Sequence, residues 1–310
     1  MKIAIVGSGA MGQLFGARLQ LAGNQVVFFD TQQGTIDVLR SKGITLVDEL
    51  GSEHVPVTIM RAQDATEPFE LIIIFTKGLH TRSAVESVRH LVGPATLGLT
   101  LQNGLGHAET LAEVFGKHRT LAGVTDFPAD PREPGIIGTS TRGTVRMGSI
   151  WAEDAGREVA SVFSQAGLNA VQEHQVLVPI WEKVTFNSAL NTLSGVTGLT
   201  VGGIGASTTA RQIVEQIVEE CNLVAQAQGV RISVEHVTEA LSNAFEHHME
   251  HKTSMLLDRE AGRATEVDFI GGAVADLGRS LGIATPVLDT LCQLMRTVTE
   301  LPKKDAALAS

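Results

Sequence analysis

Six residues near the start, Gly7-Ser8-Gly9-Ala10-Met11-Gly12, constrain the fold more than anything else in the chain. The apolar run Lys2 to Val6 leads into them, and Met11 to Leu21 continues with apolar residues at helical spacing. Val26 to Phe29 is a second apolar run and ends at Asp30. Strand, glycine turn, helix and strand in this order make a βαβ unit. In such a unit Gly7 permits the tight turn, Gly9 lets the backbone approach a pyrophosphate, and Gly12 allows close helix–strand packing. The helix that opens at Ala10 and Met11 offers unpaired N–H groups and a partial positive charge to phosphates. The loop Gly7, Ser8, Gly9, Ala10, Met11 and Gly12 is therefore the candidate dinucleotide site. The alternative is an ordinary glycine turn.

Asp30 decides more than the glycines do. A carboxylate at the end of the second strand can accept hydrogen bonds from the adenosine ribose hydroxyls, and it repels a 2′-phosphate. Thr31, Gln32 and Gln33 follow, with no arginine until Arg40. The cofactor expected from these residues is NAD(P)H, with NADH favoured over NADPH. The blander reading is that Asp30 caps a loop.

Further strands are expected at Leu71 to Thr76, Leu97 to Gln102 and Thr120 to Val124, with helices after Gly78 and Gly106. Thr125 to Ile150 reads as loops and short strands, Arg157 to Ala166 as a helix, and Ala170 to Glu173 as a closing strand. Alternating strands and helices imply a parallel, doubly wound, Rossmann-like sheet. Beyond His174 long amphipathic helical patterns take over: Val178 to Ser194, Thr208 to Gln228, Val234 to Asp258, Val267 to Leu281 and Val287 to Leu301. The expected fold is α/β, with a dinucleotide-binding domain over 1–174 and an all-helical substrate domain over 175–310. The tail, KKDAALAS, is expected to fray.

Composition narrows the function. At 310 residues the prior is roughly two domains of about 150 residues each. The formal charge of -10 argues against non-specific nucleic-acid binding. The apolar run around Leu71 to Phe75 is too short to span a membrane. The glycines after Val6 interrupt any signal-peptide core. Cys221 and Cys292 are the only cysteines and read as reduced core thiols, which suits a cytoplasmic enzyme. The chain has no tyrosine, so a Tyr–Lys acid pair is excluded. The long apolar helices of the second half could bury a homodimer interface, but the core needs the same faces.

In IWEKVTFNSALNTLSG, Lys183, Asn187 and Asn191 stand at i, i+4 and i+8. A helix places them on one stripe among apolar neighbours, where a cation is costly without partners or a task. Lysine is the only good proton donor on that stripe, and asparagines can hold a carboxylate or hydroxyl without adding charge. The alternative is a snorkelling surface lysine.

Four segments, GSGAMG, TKGLHT, LQNG and WEKVTFNSALN, are followed by HKTSMLLDREAGRATEVDFIGG. In this order and spacing the chain resembles the ketopantoate reductase family over essentially its full length. The resemblance implies reduction of 2-dehydropantoate to (R)-pantoate, with Lys183 as the catalytic general acid and Glu266 as its acidic partner, in contact with substrate and cofactor. It also implies that Asn187, Asn191 and Ser254 bind substrate, that Asn103 sits between nicotinamide and substrate, and that Lys77 reaches the cofactor's side of an interdomain cleft. Family members that favour NADP typically carry arginine where Thr31 stands, and some carry asparagine where His251 stands. Relatives with an acid in the position of Asp30 are NAD-linked D-2-hydroxyacid dehydrogenases acting on branched or aromatic 2-oxo acids.

Each of these residues has a structural alternative. Lys77 could end a strand, Glu266 could cap a helix within Thr265-x-x-Asp268, and Ser254 and Asp258 could form a solvated face. Glu215, Glu219 and Glu220 read as a solvated helix face. His247, His248 and His251 do not match a metal motif and read as a histidine-rich surface. The partner expected is a small-molecule 2-oxo acid. A reading of another class is a nucleotide-sensing protein that keeps the fold without catalysis.

Overall fold

The computed structural model describes residues 1–152 and 155–300. The tail KKDAALAS and the expected helix end at Leu301 lie outside the described residues. The chain forms two compact units: Met1–Gln102 with Gly106–Pro179, and Asn103–Leu105 with the described residues from Ile180 onward.

The first unit begins β1 (Lys2–Val6), α1 (Ala10–Leu21), β2 (Gln25–Phe29), α2 (Gln33–Lys42), β3 (Ile44–Asp48), β4 (Gly51–Val55) and β5 (Thr58–Met60). It continues β6 (Phe69–Ile74), α3 (Thr81–Ser87), β7 (Val92–Thr100), α4 (His107–Phe115) and β8 (Thr120–Thr125). It closes with β9 (Asp130–Glu133), β10 (Ile136–Gly138), β11 (Val145–Gly148), α5 (Arg157–Gln165) and β12 (Ala170–Gln172). The main sheet runs β12-β11-β8-β7-β6-β1-β2-β5, parallel from β8 to β5, with β11 antiparallel to β8. A smaller sheet, β4-β3-β10-β9, completes the unit.

Strand alternation divides the core between the two faces of the main sheet. Ile3 and Ile5 of β1 and Leu71 and Ile73 of β6 point to one face, where Phe15 of α1 and Phe163 of α5 cover them. Ala4, Val6, Ile72 and Ile74 point to the other, under Val85 of α3 and Leu111 and Phe115 of α4. Burial on both faces explains why these strands are apolar runs rather than alternating ones. Chain order reverses at β1, whose neighbours are β2 and β6, and ligands of open α/β sheets bind beyond the strand ends at such a switch point.

The second unit is helical: α6 (Leu177–Thr197), which belongs to it from Ile180 onward, α7 (Val201–Ala206), α8 (Thr208–Ala227), α9 (Val234–His247), α10 (Ser254–Glu260), α11 (Gly271–Leu281) and α12 (Pro286–Glu300). The continuous helix expected over Val234 to Asp258 is two helices. Its middle is spent elsewhere: the carbonyls of Met249 and His251 accept from the N–H groups of Gly202 and Val201 at the start of α7. A Cβ on Gly202 would lie 2.6 Å from the Met249 backbone, so only glycine admits this approach. Thr253 then caps α10, accepting from Leu256 N–H.

The acidic run on α8 also differs from expectation. Glu215 and Glu219 are exposed, but Glu220 is buried to 8% exposure. Its carboxylate accepts from Val287 N–H and Leu288 N–H, both at 2.9 Å, and caps α12. Among the described residues, no helix is long and apolar enough to cross a membrane.

Candidate active site

At the nucleotide end of the first unit, the turn after β1 is held on both sides. Gly7 N–H donates to the Phe29 carbonyl, and Phe75 N–H donates to the Val6 carbonyl. Gly7 has φ +97°, and a Cβ there would stand 2.8 Å from Thr76 N. A Cβ on Gly12 would lie 2.0 Å from the Gly7 carbonyl oxygen, so α1 can seat against the turn only because both residues are glycine. Gly9 precedes α1, no side chain caps that helix, and a Cβ at Gly9 would meet nothing within 4 Å. Ala10 and Met11 open the helix and are half-buried.

Ser8 is 2% exposed, and its buried hydroxyl has no protein partner. A buried hydroxyl beside an uncapped helix N-terminus and open space above Gly9 fit a dinucleotide's phosphates. Asp30 does cap a turn: Oδ1 accepts from Gln32 N–H at 2.8 Å, and Oδ2 accepts from Ser8 N–H at 2.9 Å. Each carboxylate oxygen keeps a second lone pair, so this role and ribose binding are compatible.

Lys77 is half-buried where the chain leaves β6 for a 3-10 turn over Gly78–His80. A polar network behind it escapes sequence reasoning. Gln102 Nε2 donates to the Thr76 carbonyl at 2.7 Å and to Thr81 Oγ1 at 2.9 Å, while Thr100 Oγ1 donates to Gln102 Oε1 at 2.9 Å. Thr81 Oγ1 in turn lies 3.1 Å from Nδ1 of the buried His107. In the sequence, its members Thr76 and Thr81 bound the TKGLHT segment, and Gln102 stands in LQNG.

Asn103 belongs to the second unit. Leu105 N–H donates to the Phe269 carbonyl at 2.8 Å, and Gly104, at φ +110°, packs against the same carbonyl, 2.2 Å from where a Cβ would stand. Phe269 N–H and Ile270 N–H both donate to the Glu266 carbonyl. One short backbone relay thus joins the half-buried Asn103 and Glu266. The capping box offered as the alternative at Thr265-x-x-Asp268 does not open α11. The cap position of α11 is Ile270, with no side-chain acceptor, and Asp268 Oδ1 instead accepts from Arg296 Nε at 2.7 Å.

Lys183, Asn187 and Asn191 share one stripe of α6 over two helical turns. Lys183 is half-buried, and Asn187 and Asn191 are 8% and 7% exposed. The helix is surrounded by packing, with Trp181, Val184, Leu190 and Leu193 in the core. Its last carbonyls, Gly195 and Val196, accept from Arg259 Nη1 of α10. A stripe set in a helix held at this depth is not a solvated face.

Ser254 opens α10 and is exposed, whereas Asp258, one turn on, is buried and accepts from Arg263 Nε at 2.8 Å. Among the described residues, no three His, Cys, Asp or Glu side chains gather as metal ligands. His247 Nδ1 lies 3.1 Å from the Asn243 carbonyl.

Two family models match the sequence: Ketopantoate reductase PanE/ApbA over residues 3–151, and Ketopantoate reductase PanE/ApbA C terminal over residues 175–299. The 2-dehydropantoate 2-reductase of Streptococcus pyogenes is 32% identical over 95% of this chain and 97% of its own. The structure of 2-dehydropantoate 2-reductase from Geobacter metallireducens is 31% identical, with a TM-score of 0.89 over 96% of this chain and 99% of that one. A D-mandelate dehydrogenase solved with NADH and anilino(oxo)acetate is 27% identical, with a TM-score of 0.91 over 97% of this chain and 99% of that one. Matched in both its parts by these models and by relatives of nearly its own length, the chain belongs to the ketopantoate reductase family.

Proposed function

We propose that the chain reduces 2-dehydropantoate to (R)-pantoate, with Lys183 as the general acid. The observation that carries this reading, within the family, is the Lys183–Asn187–Asn191 stripe on the packed helix α6. The reduced nicotinamide supplies hydride to the ketone carbon. As the carbonyl π-bond breaks, negative charge develops on oxygen, and a preplaced ammonium that hydrogen-bonds this oxygen and transfers a proton is worth most in the transition state. Asn187, Asn191 and Ser254 hold the substrate's carboxylate and hydroxyl groups. Glu266 and Asn103 complete the pocket, and Lys77 serves the cofactor. The nucleotide is held by residues 1–174 and the substrate by residues 175–310. Two buried thiols support a reducing, cytoplasmic setting.

NADH is the favoured donor, because Asp30 repels a 2′-phosphate and Thr31 offers no cation. Asp30 also favours a second reading: an NAD-linked D-2-hydroxyacid dehydrogenase acting on branched or aromatic 2-oxo acids. The likeness to D-mandelate dehydrogenase supports the same alternative. A panel of 2-oxo acids assayed with NADH and NADPH tests both. Highest kcat/KM on 2-dehydropantoate upholds the first reading, and highest kcat/KM on phenylglyoxylate or a branched 2-oxo acid replaces it with the second. No turnover of any 2-oxo acid despite nucleotide binding would leave a nucleotide sensor.

A further inference from the structure

The cation that the sequence lacks at Thr31 reaches the same corner from another strand. β5 pairs in parallel with β2 in the register Val27↔Thr58, Phe28↔Ile59 and Phe29↔Met60. Asp30 N–H extends this ladder by donating to the Met60 carbonyl at 3.3 Å. The next residue on β5's side is Arg61, so Arg61 stands beside Asp30 at the ends of adjacent strands. Its Nη2 donates to Gln33 Oε1 at 3.1 Å, which holds the guanidinium beside the first turn of α2. Arg40, the arginine nearest in sequence, is turned to other use, with Nη2 donating to the Ile59 carbonyl at 3.2 Å.

We propose that Arg61 is a specificity-determining residue for the cofactor and binds the 2′-phosphate of NADPH, so that the protein accepts NADPH beside the NADH that Asp30 favours. This rests on the reading of the first unit as a pyridine-nucleotide site. A guanidinium has five N–H donors in a planar fork that matches phosphate oxygens, and Gln33 accepts from one nitrogen of Arg61. Without that cation a 2′-phosphate would meet the carboxylates of Asp30 and Asp37, the latter an acceptor for Gln33 Nε2 at 2.9 Å. With it, the same corner carries one guanidinium beside those two carboxylates, and the ratio of the two cofactors is set by their balance.

The test is the binding of adenosine 2′,5′-bisphosphate and of 5′-AMP by calorimetry, in the full chain and in Arg61→Gln. The variant should bind the bisphosphate about tenfold or more weakly, the loss expected for a charge-assisted hydrogen bond. Its affinity for 5′-AMP should hold within about twofold, which also reports an intact fold. The NADPH to NADH ratio of kcat/KM should fall with the bisphosphate affinity. An equal loss for both nucleotides would make Arg61 a packing residue and overturn the proposal, as would a wild-type protein that binds the bisphosphate no better than the variant. Wild-type protein that binds neither nucleotide would overturn the dinucleotide reading itself. A failed 2-oxo acid panel would leave these binding results untouched.

Discussion

Leu105 N–H donates to the carbonyl of Phe269 at 2.8 Å, although the two residues are far apart in sequence. This bond ties the segment that carries Asn103 to the turn that carries Glu266. Gly104 lies between, at φ +110°, with no room for a Cβ against the Phe269 carbonyl. Gly104→Ala must therefore break the Leu105–Phe269 bond or strain the backbone, at a cost on the order of 2 kcal/mol. The expected result is a lower Tm together with a loss of kcat beyond what the remaining folded fraction explains. Thermal unfolding and initial rates on the same sample check it, and unchanged kcat in the folded fraction would separate this relay from catalysis.

Lys183→Ala should lower kcat by about 10²- to 10⁴-fold, the range for a positioned general acid. NADH affinity, followed by cofactor fluorescence, should stay close to wild type. Full turnover in the variant would remove Lys183 from the mechanism.

The direction of reaction sets the sign of the pH response. With Lys183 in the proposed role of general acid, reduction uses its ammonium form and oxidation of the 2-hydroxy acid uses the amine. Reduction should fall and oxidation rise as pH climbs through the titration of that group. Rate profiles in both directions across the alkaline range check this, and parallel profiles would contradict it.

Gln102→Leu keeps the volume but removes the donor shared by the Thr76 carbonyl and Thr81 Oγ1. Leaving buried acceptors unpaired costs about 1–3 kcal/mol. Since the network backs the turn that bears Lys77, the KM for cofactor should rise more than the KM for substrate. Equal changes in both would mark the network as a stability element only.

Glu220→Ala uncaps α12 and should destabilise the protein by about 2 kcal/mol, with Glu220→Gln intermediate because its amide oxygen can still accept. Denaturant unfolding of the two variants, compared with Glu219→Ala as an exposed control, measures it. Equal midpoints for Glu219→Ala and Glu220→Ala would refute the capping role.

Burial pushes the Cys221 and Cys292 thiols up from 9.0 to about 12. Native protein should resist alkylation at pH 8 and react at both sites once unfolded. The unfolded thiols ionise first in alkali, so their contribution to stability is complete below about pH 9 and is lost as pH rises toward about 12. Replacing both by alanine should flatten that part of the stability curve. An unchanged slope between these pH values would show that other groups govern it.

Much of the fold was legible because its signals are local. Glycines at 7, 9 and 12, apolar runs before and after them, and the i, i+4, i+8 spacing of Lys183, Asn187 and Asn191 are all properties of short stretches. The break in Val234 to Asp258 was hidden for the opposite reason. Helical periodicity continues across it, and only the demand of α7 for the carbonyls of Met249 and His251 interrupts the helix. Glu220 looks like its exposed neighbours in sequence and differs from them only because α12 begins against it.

The sequence by itself determined a βαβ nucleotide unit, a helical second half and a lysine–asparagine stripe, since chain geometry alone converts those spacings into structure. Tertiary structure decided which distant groups meet: Arg61 beside Asp30, Phe269 against Gly104, and Glu220 under α12. These meetings depend on strand register and helix packing, which no local pattern encodes.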